Sequence, residues 1–324
     1  LLDRHRPLGG EHDYRGFEWR YLWGLCQGDE DHVFEPLIAW TPCVVFSDDG
    51  GFVAAGVRYK EDLSVVWDLR TKEVEKRLPP GNRPLTFAPG RPLLVTVGSK
   101  GLFLWDTRTW KAERLGPCYE GAAASFLPDG RSLIVYGEGL QLWDIDTRQL
   151  VRENDFGKNN FFSHSSLNVS ADGKLLSCSR GLPYISYSEL RLFHLPSLEP
   201  VSWSSQLPSD IRSATFHPEK NLIVTGGWSG DIRLWETSLG SEIPSTMRQV
   251  SRVVSMSLSP ANSNLLATTG GDRSIHLWDF SSQKESARLQ GGSDSLEALA
   301  WSPDGRQIAT GGHDDGVVLW NAAQ

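Results

Sequence analysis

Eight histidines, four cysteines and two Asp-Asp pairs are the residues from which a catalytic or metal site would have to be built in this chain. The histidines, at 5, 12, 32, 164, 194, 217, 276 and 313, fall singly and without the spacing of a metal-ligand set. Cys26, Cys43, Cys118 and Cys178 are equally scattered, which argues against a zinc site or a disulfide framework and for small buried apolar residues. Asp48-Asp49 and Asp314-Asp315 have the chemistry for acid–base work or calcium, but each precedes a Gly in a turn-like sequence, where Asp caps its own backbone. No Gly-x-Ser-x-Gly elbow is present. The Gly226-Gly227, Gly270-Gly271 and Gly311-Gly312 pairs are expected to supply positive φ in turns rather than to cradle phosphate. Catalytic, metal and cofactor residues are therefore expected to be none. The chemistry that remains is recognition: Phe161, Phe162, Tyr184, Tyr187 and Trp228, with Arg212, Lys158 and His164 nearby, have the aromatic-plus-arginine composition of a binding hot spot.

The elements that must position these residues repeat. Seven apolar runs end in an aromatic and a polar residue: Trp67-Asp68, Trp105-Asp106, Trp143-Asp144, Phe193-His194, Trp235-Glu236, Trp278-Asp279 and Trp320-Asn321. A second marker keeps phase with them, a turn such as Phe46-Ser47-Asp48-Asp49-Gly50, Phe126-Leu127-Pro128-Asp129-Gly130 or Trp301-Ser302-Pro303-Asp304-Gly305. Pro presets φ, Asp caps and Gly takes positive φ, so these are hairpin connections. An apolar run, a Gly-containing turn, the strand ending in Trp and a shorter fourth strand complete each unit. A period near 40 residues with four strands per unit is that of a β-propeller blade.

These units resemble WD-repeat β-propellers, in which the third strand of each blade ends Trp-Asp. The resemblance covers roughly residues 32 to 324 and implies an all-β, seven-bladed propeller of four-stranded antiparallel blades. It also implies that an N-terminal strand, about 32–39, supplies the outer strand of the last blade and removes an open edge. Departures matter as well. The Gly-His pair often found before the first strand is absent, and the turn Asp six residues before the Trp survives only as Asp272 and Asp314. The family's buried His-Asp-Ser/Thr-Trp hydrogen-bond network is therefore expected to be incomplete in every blade, leaving apolar packing to hold the ring.

Residues 1–30 read differently. Tyr14, Phe17, Tyr21, Leu22 and Leu25 share a face at helical spacing, with Asp13 as cap, so a helical lead-in is expected to pack under the propeller. The stretch Leu1-Leu2-Asp3-Arg4-His5-Arg6-Pro7 with Arg15–Trp23 is similar to the junction before WD-repeat regions of large bacterial proteins, some with a serine/threonine kinase domain. No kinase motif lies in this chain, and it begins at Leu rather than Met, as a fragment of something longer would.

With 32 basic and 40 acidic residues the net charge is −8, so nucleic-acid binding is disfavoured. No run of 18 apolar residues is present, which argues against membrane contact. Asn168-Val169-Ser170 matches a glycosylation sequon but falls in an expected inner strand. The fourth unit is the longest, with additions at Asn154–His164 and Gly181–Glu189. In the resembled fold both additions open on one face, as does Trp228. The expected function is thus a non-catalytic scaffold that binds a protein or peptide on that face through Phe161, Phe162, Tyr184, Tyr187, Trp228 and Arg212. It is expected to be a monomeric, cytoplasmic domain. The alternative is a propeller enzyme or small-ligand binder that uses the central channel.

Overall fold

The computed structural model describes residues 29–34, 40–58, 64–98, 100–117, 122–137, 139–156, 165–181, 188–207, 211–291, 295–312 and 316–322. They form seven four-stranded antiparallel sheets, a seven-bladed β-propeller. The expected helix at 13–26 lies outside the described residues. The inner strands are Trp40–Phe46, Arg83–Phe87, Ala123–Phe126, Ser165–Val169, Ile211–Phe216, Val253–Leu258 and Leu296–Trp301.

The second strand of a blade has neighbouring sheets on both faces, and its sequence shows it. Leu93–Gly98, Leu222–Gly227 and Leu265–Gly270 are buried along almost their whole length. The outer strands Lys111–Gly116 and Gln149–Asn154 are largely exposed and carry Lys, Arg, Glu and Gln. Between successive blades lies an apolar layer, and each layer holds the repeated aromatic of the later blade. Trp105 packs among Ala54, Val66 and Leu94. Trp143 does so among Val95, Leu102 and Leu104, and Phe193 beside Ile134 and Leu140. Trp320, fully buried, sits with Ala267, Ile275 and Leu277. The signature aromatic therefore joins one blade to the one before it, which is why it recurs once per unit.

In four blades its indole N–H is satisfied by a threonine of the second strand, and in blade three Trp143 donates to Gln141 instead. Trp105, Trp235, Trp278 and Trp320 donate to Thr96, Thr225, Thr268 and Thr310 at 2.8–3.0 Å. Blade four replaces both partners at once, with Phe193 and Cys178, so no donor is stranded. In blade six the bond extends: Thr268 Oγ1 donates to Gln249 Oε1 at 2.8 Å, and Gln249 Nε2 donates to Ser251 Oγ and to the Arg252 carbonyl. These bonds do not rebuild the family's His-Asp network, but an amide both accepts and donates, so Gln249 carries the Trp278–Thr268 bond onward to Ser251 and the Arg252 carbonyl.

The residue after the aromatic has its own task. Asp68, Asp106 and Asp144 each accept two backbone N–H groups of the following turn, at 2.8–3.1 Å. Asp144 also takes a bond from Arg131, and that bond together with the turn N–H groups lowers its pKa to about 2. Trp-Asp is thus an inter-blade plug followed by a turn cap.

The ring closes through Glu30–Val33, which pairs antiparallel with the last strand: Glu30 opposite Trp320, His32 opposite Leu319 and Val33 opposite Val318. The pairing segment starts two residues before the expected 32–39 stretch, and residues 35–39 lie outside the described residues.

The paired glycines need a correction. Gly226, Gly270 and Gly311 lie at the ends of second strands without positive φ, which falls instead on residues such as Gly230. Their use is closeness: a Cβ on Gly270 would overlap the Arg252 carbonyl of the inner strand's lead-in, whereas one on Gly271 would meet nothing within 4 Å. Gly270→Ala is expected to cost about 1–3 kcal/mol, as overpacking does. Gly271→Ala should leave the unfolding midpoint in urea unchanged, and equal midpoints for the two variants would contradict this account.

Candidate functional site

Every inner strand starts at one face of the ring, and the turns between second and third strands open on that same face. Arg212 is the second residue of the blade-five inner strand, Arg252 immediately precedes that of blade six, and Glu297 is the second residue of that of blade seven. Trp228 follows directly on the second strand of blade five. The ring brings these four together. Arg212 Nη2 lies 2.9 Å from Glu297 Oε2, and Arg252 Nη2 lies 3.2 Å from Glu297 Oε1. Ser295 Oγ donates to Glu297 Oε1 at 3.0 Å. Both guanidinium groups stand over the Trp228 ring, at 5.5 Å for Arg212 and 5.2 Å for Arg252.

Burial grades outward through the cluster. Side-chain exposure is 5% for Glu297, 17% for Arg212 and 34% for Arg252, and Trp228 is 41% exposed. Burial lowers the pKa of Arg212 from its usual range; the Glu297 carboxylate opposes this and Arg252 adds to it. Glu297 holds its oxygens on three donors, so it fixes the arginines and is poorly placed to accept a proton from a substrate. Arg252 Nε is buried with no partner among the described residues. Stacking of guanidinium on indole contributes roughly 0.5–2 kcal/mol per contact and fixes the orientation of both forks.

Two of the six sequence-predicted residues, Trp228 and Arg212, are therefore in mutual contact on this face. Phe161, Phe162, Tyr184 and Tyr187 lie outside the described residues, as do Lys158 and His164. Sequence reasoning gave Arg252 and Glu297 no role, although both lie at inner-strand starts. The signal that finds them is opposite charge at the strand starts of successive blades: Arg212 and Glu297 stand second in their inner strands, and Arg252 just precedes that of the blade between them. The sequon asparagine has a structural partner, since Asn168 Nδ2 donates to the Ala214 carbonyl of the next blade at 2.6 Å.

The WD40 family (WD domain, G-beta repeat) matches residues 203–236, 245–279 and 283–321, which are blades five, six and seven. The chain carries WD40 repeats. All four residues of the cluster fall within the matched WD40 segments. The chain is similar to the periodic tryptophan protein 2 homolog of Mus musculus, 33% identical over 113 residues, 35% of this chain and 12% of that protein. It is similar to Protein FIZZY-RELATED 3 of Arabidopsis thaliana, 29% identical over 138 residues, 41% of this chain and 28% of that protein. It is also similar to coronin-7 of Rattus norvegicus, 32% identical over 113 residues, 33% of this chain and 12% of that protein. The matches thus span between 12% and 28% of these eukaryotic relatives. Among the described residues no group of three or more His, Cys, Asp or Glu is placed to hold a metal ion, and no helix is long and apolar enough to cross a membrane.

Proposed function

We propose that this WD40 propeller is a non-catalytic scaffold that binds a protein or peptide on the face where the inner strands begin. The observation that carries the reading is the half-exposed Trp228, held rigid by two arginines that are themselves fixed by a buried carboxylate. Rigid aromatic anchors with arginine on a stiff frame are what interface hot spots are made of. Phe161, Phe162, Tyr184 and Tyr187 belong to the same proposed surface on sequence grounds. In this reading the domain is monomeric and cytoplasmic. A longer bacterial, kinase-linked parent is supported by residues 1–23 alone, and the coding sequence upstream of Leu1 tests it.

The experiment is site-directed photo-crosslinking in the full chain, with the reactive side chain placed at Trp228 or at Lys174 in a turn on the opposite face. Crosslinked partner is expected from the first position and not from the second. Equal crosslinking from both, or from Lys174 alone, would place the partner surface elsewhere on the ring.

A further inference from the structure

We infer that Arg212, Arg252 and Trp228 form a receptor for one carboxylate of a protein partner, an Asp or Glu side chain with an apolar residue beside it. The inference rests on the interaction reading above and adds the chemistry of the partner. Two guanidinium groups share the single carboxylate of Glu297, so among the described residues the cluster holds one surplus positive charge on a protein of net charge −8. A local cation on an acidic protein concentrates anions at that point.

The surplus falls on the outer arginine. Arg212 is the more buried and lies closer to Glu297, whereas Arg252 has the longer contact and the greater exposure. A carboxylate docking edge-on to Arg252 gains a charge-assisted bond from a fork already immobilised by the indole. Charge also selects the ligand: a monoanion neutralises the surplus, while a phosphate dianion would leave a net negative charge in a partly desolvated site. The apolar neighbour follows from the surroundings. The Gln249 N–H donates to the Gly230 carbonyl at 3.0 Å, tying the turn of Trp228 to the segment carrying Val250, which is 93% exposed. Trp228 thus offers apolar surface beside the arginine pair, and Val250 is an exposed apolar residue on the segment tied to its turn.

The test is fluorescence anisotropy of the full chain with labelled decapeptides alternating Glu and Leu, Gln and Leu, or phosphoserine and Leu. The Glu–Leu peptide is expected to bind at least about tenfold tighter than the Gln–Leu peptide, the range of a hot-spot contact. Arg252→Gln should abolish that preference at an unchanged melting temperature, and Lys174→Gln should leave it intact. Equal affinity for the Glu and Gln peptides, tighter binding of phosphoserine, or no loss in Arg252→Gln overturns the carboxylate receptor. If the Glu and Gln peptides bind alike and Trp228→Ala removes both, only the carboxylate specificity falls and the interaction surface stands. Absence of binding by all three peptides overturns the receptor, and the crosslinking experiment then decides the scaffold reading separately.

Discussion

A chain shortened to begin at Trp40 is expected to lose most of its stability or to aggregate. The shortening removes Glu30–Val33, the outer strand of blade seven, and leaves the ladder of Val318, Leu319 and Trp320 as an open edge. It also removes Phe34, which is almost fully buried, lies 5.0 Å from the Trp67 ring and packs among Val44, Val65, Val317 and Leu319. That layer joins the last blade to the first, so its loss opens the ring at the seam where they meet. Phe34→Ala isolates the side chain from the strand: emptying a buried phenylalanine site costs about 3–5 kcal/mol. Against a typical total of about 5–15 kcal/mol, either change takes a large share. Thermal and urea unfolding measure both. A shortened chain that melts cooperatively at the parent temperature would show that the seam contributes little.

The ring is legible in the sequence because each blade needs the same three things at the same places. An aromatic must fill the layer to the previous blade, an acceptor must cap the next turn, and a Pro-Asp-Gly turn must reverse the inner strand. Trp105-Asp106 and Trp143-Asp144 state the first two outright, and Pro128-Asp129-Gly130 states the third. The polar network is harder to read. The family pattern points to a histidine, whereas the physical requirement is only a group that accepts from Thr268 and donates onward. Gln249 meets it from a loop, 19 residues from Thr268, where no strand pattern points to it. The glycine pairs are obscure for a related cause: Gly270 answers to a neighbouring backbone, and no local rule announces that approach. The site divides in the same way. Trp228 and Arg212 stand out through an exposed turn and a period-breaking region. Arg252 and Glu297 become partners only because the ring brings the inner-strand starts of neighbouring blades together, 45 residues apart in the chain.

His276→Leu is expected to destabilise the propeller by about 2–3 kcal/mol near neutral pH, and the loss should shrink in acid. The His276 side chain is fully buried in the third strand of blade six, with Nε2 2.8 Å from Asp272 Oδ2 and Nδ1 3.0 Å from Glu285 Oε1. Burial alone would raise the Asp272 pKa, but the hydrogen bond and charge of His276 outweigh it and leave the carboxyl below its usual range. Glu285 is lowered first by its bond from Arg288, against burial, with His276 adding to the lowering. Removing the ring deprives Asp272 of its main partner, while its Oδ1 is already buried with no hydrogen bond among the described residues. Breaking a buried ion pair from one side costs about 3–5 kcal/mol, reduced here because both carboxylates are partly exposed and screened. The sign of the pH effect follows from the lowered carboxylates. Their stabilisation is complete above the ordinary carboxylate range and disappears as pH falls through the lower folded values. In the variant Asp272, deprived of its main partner, protonates more readily and becomes neutral, so the penalty for burying it fades, while Glu285 keeps its bond from Arg288. Urea unfolding of both proteins at neutral pH and near pH 3 reads the difference. A gap of the same size at both pH values would show that His276 contributes its stacking on Trp278 and not a charge bridge.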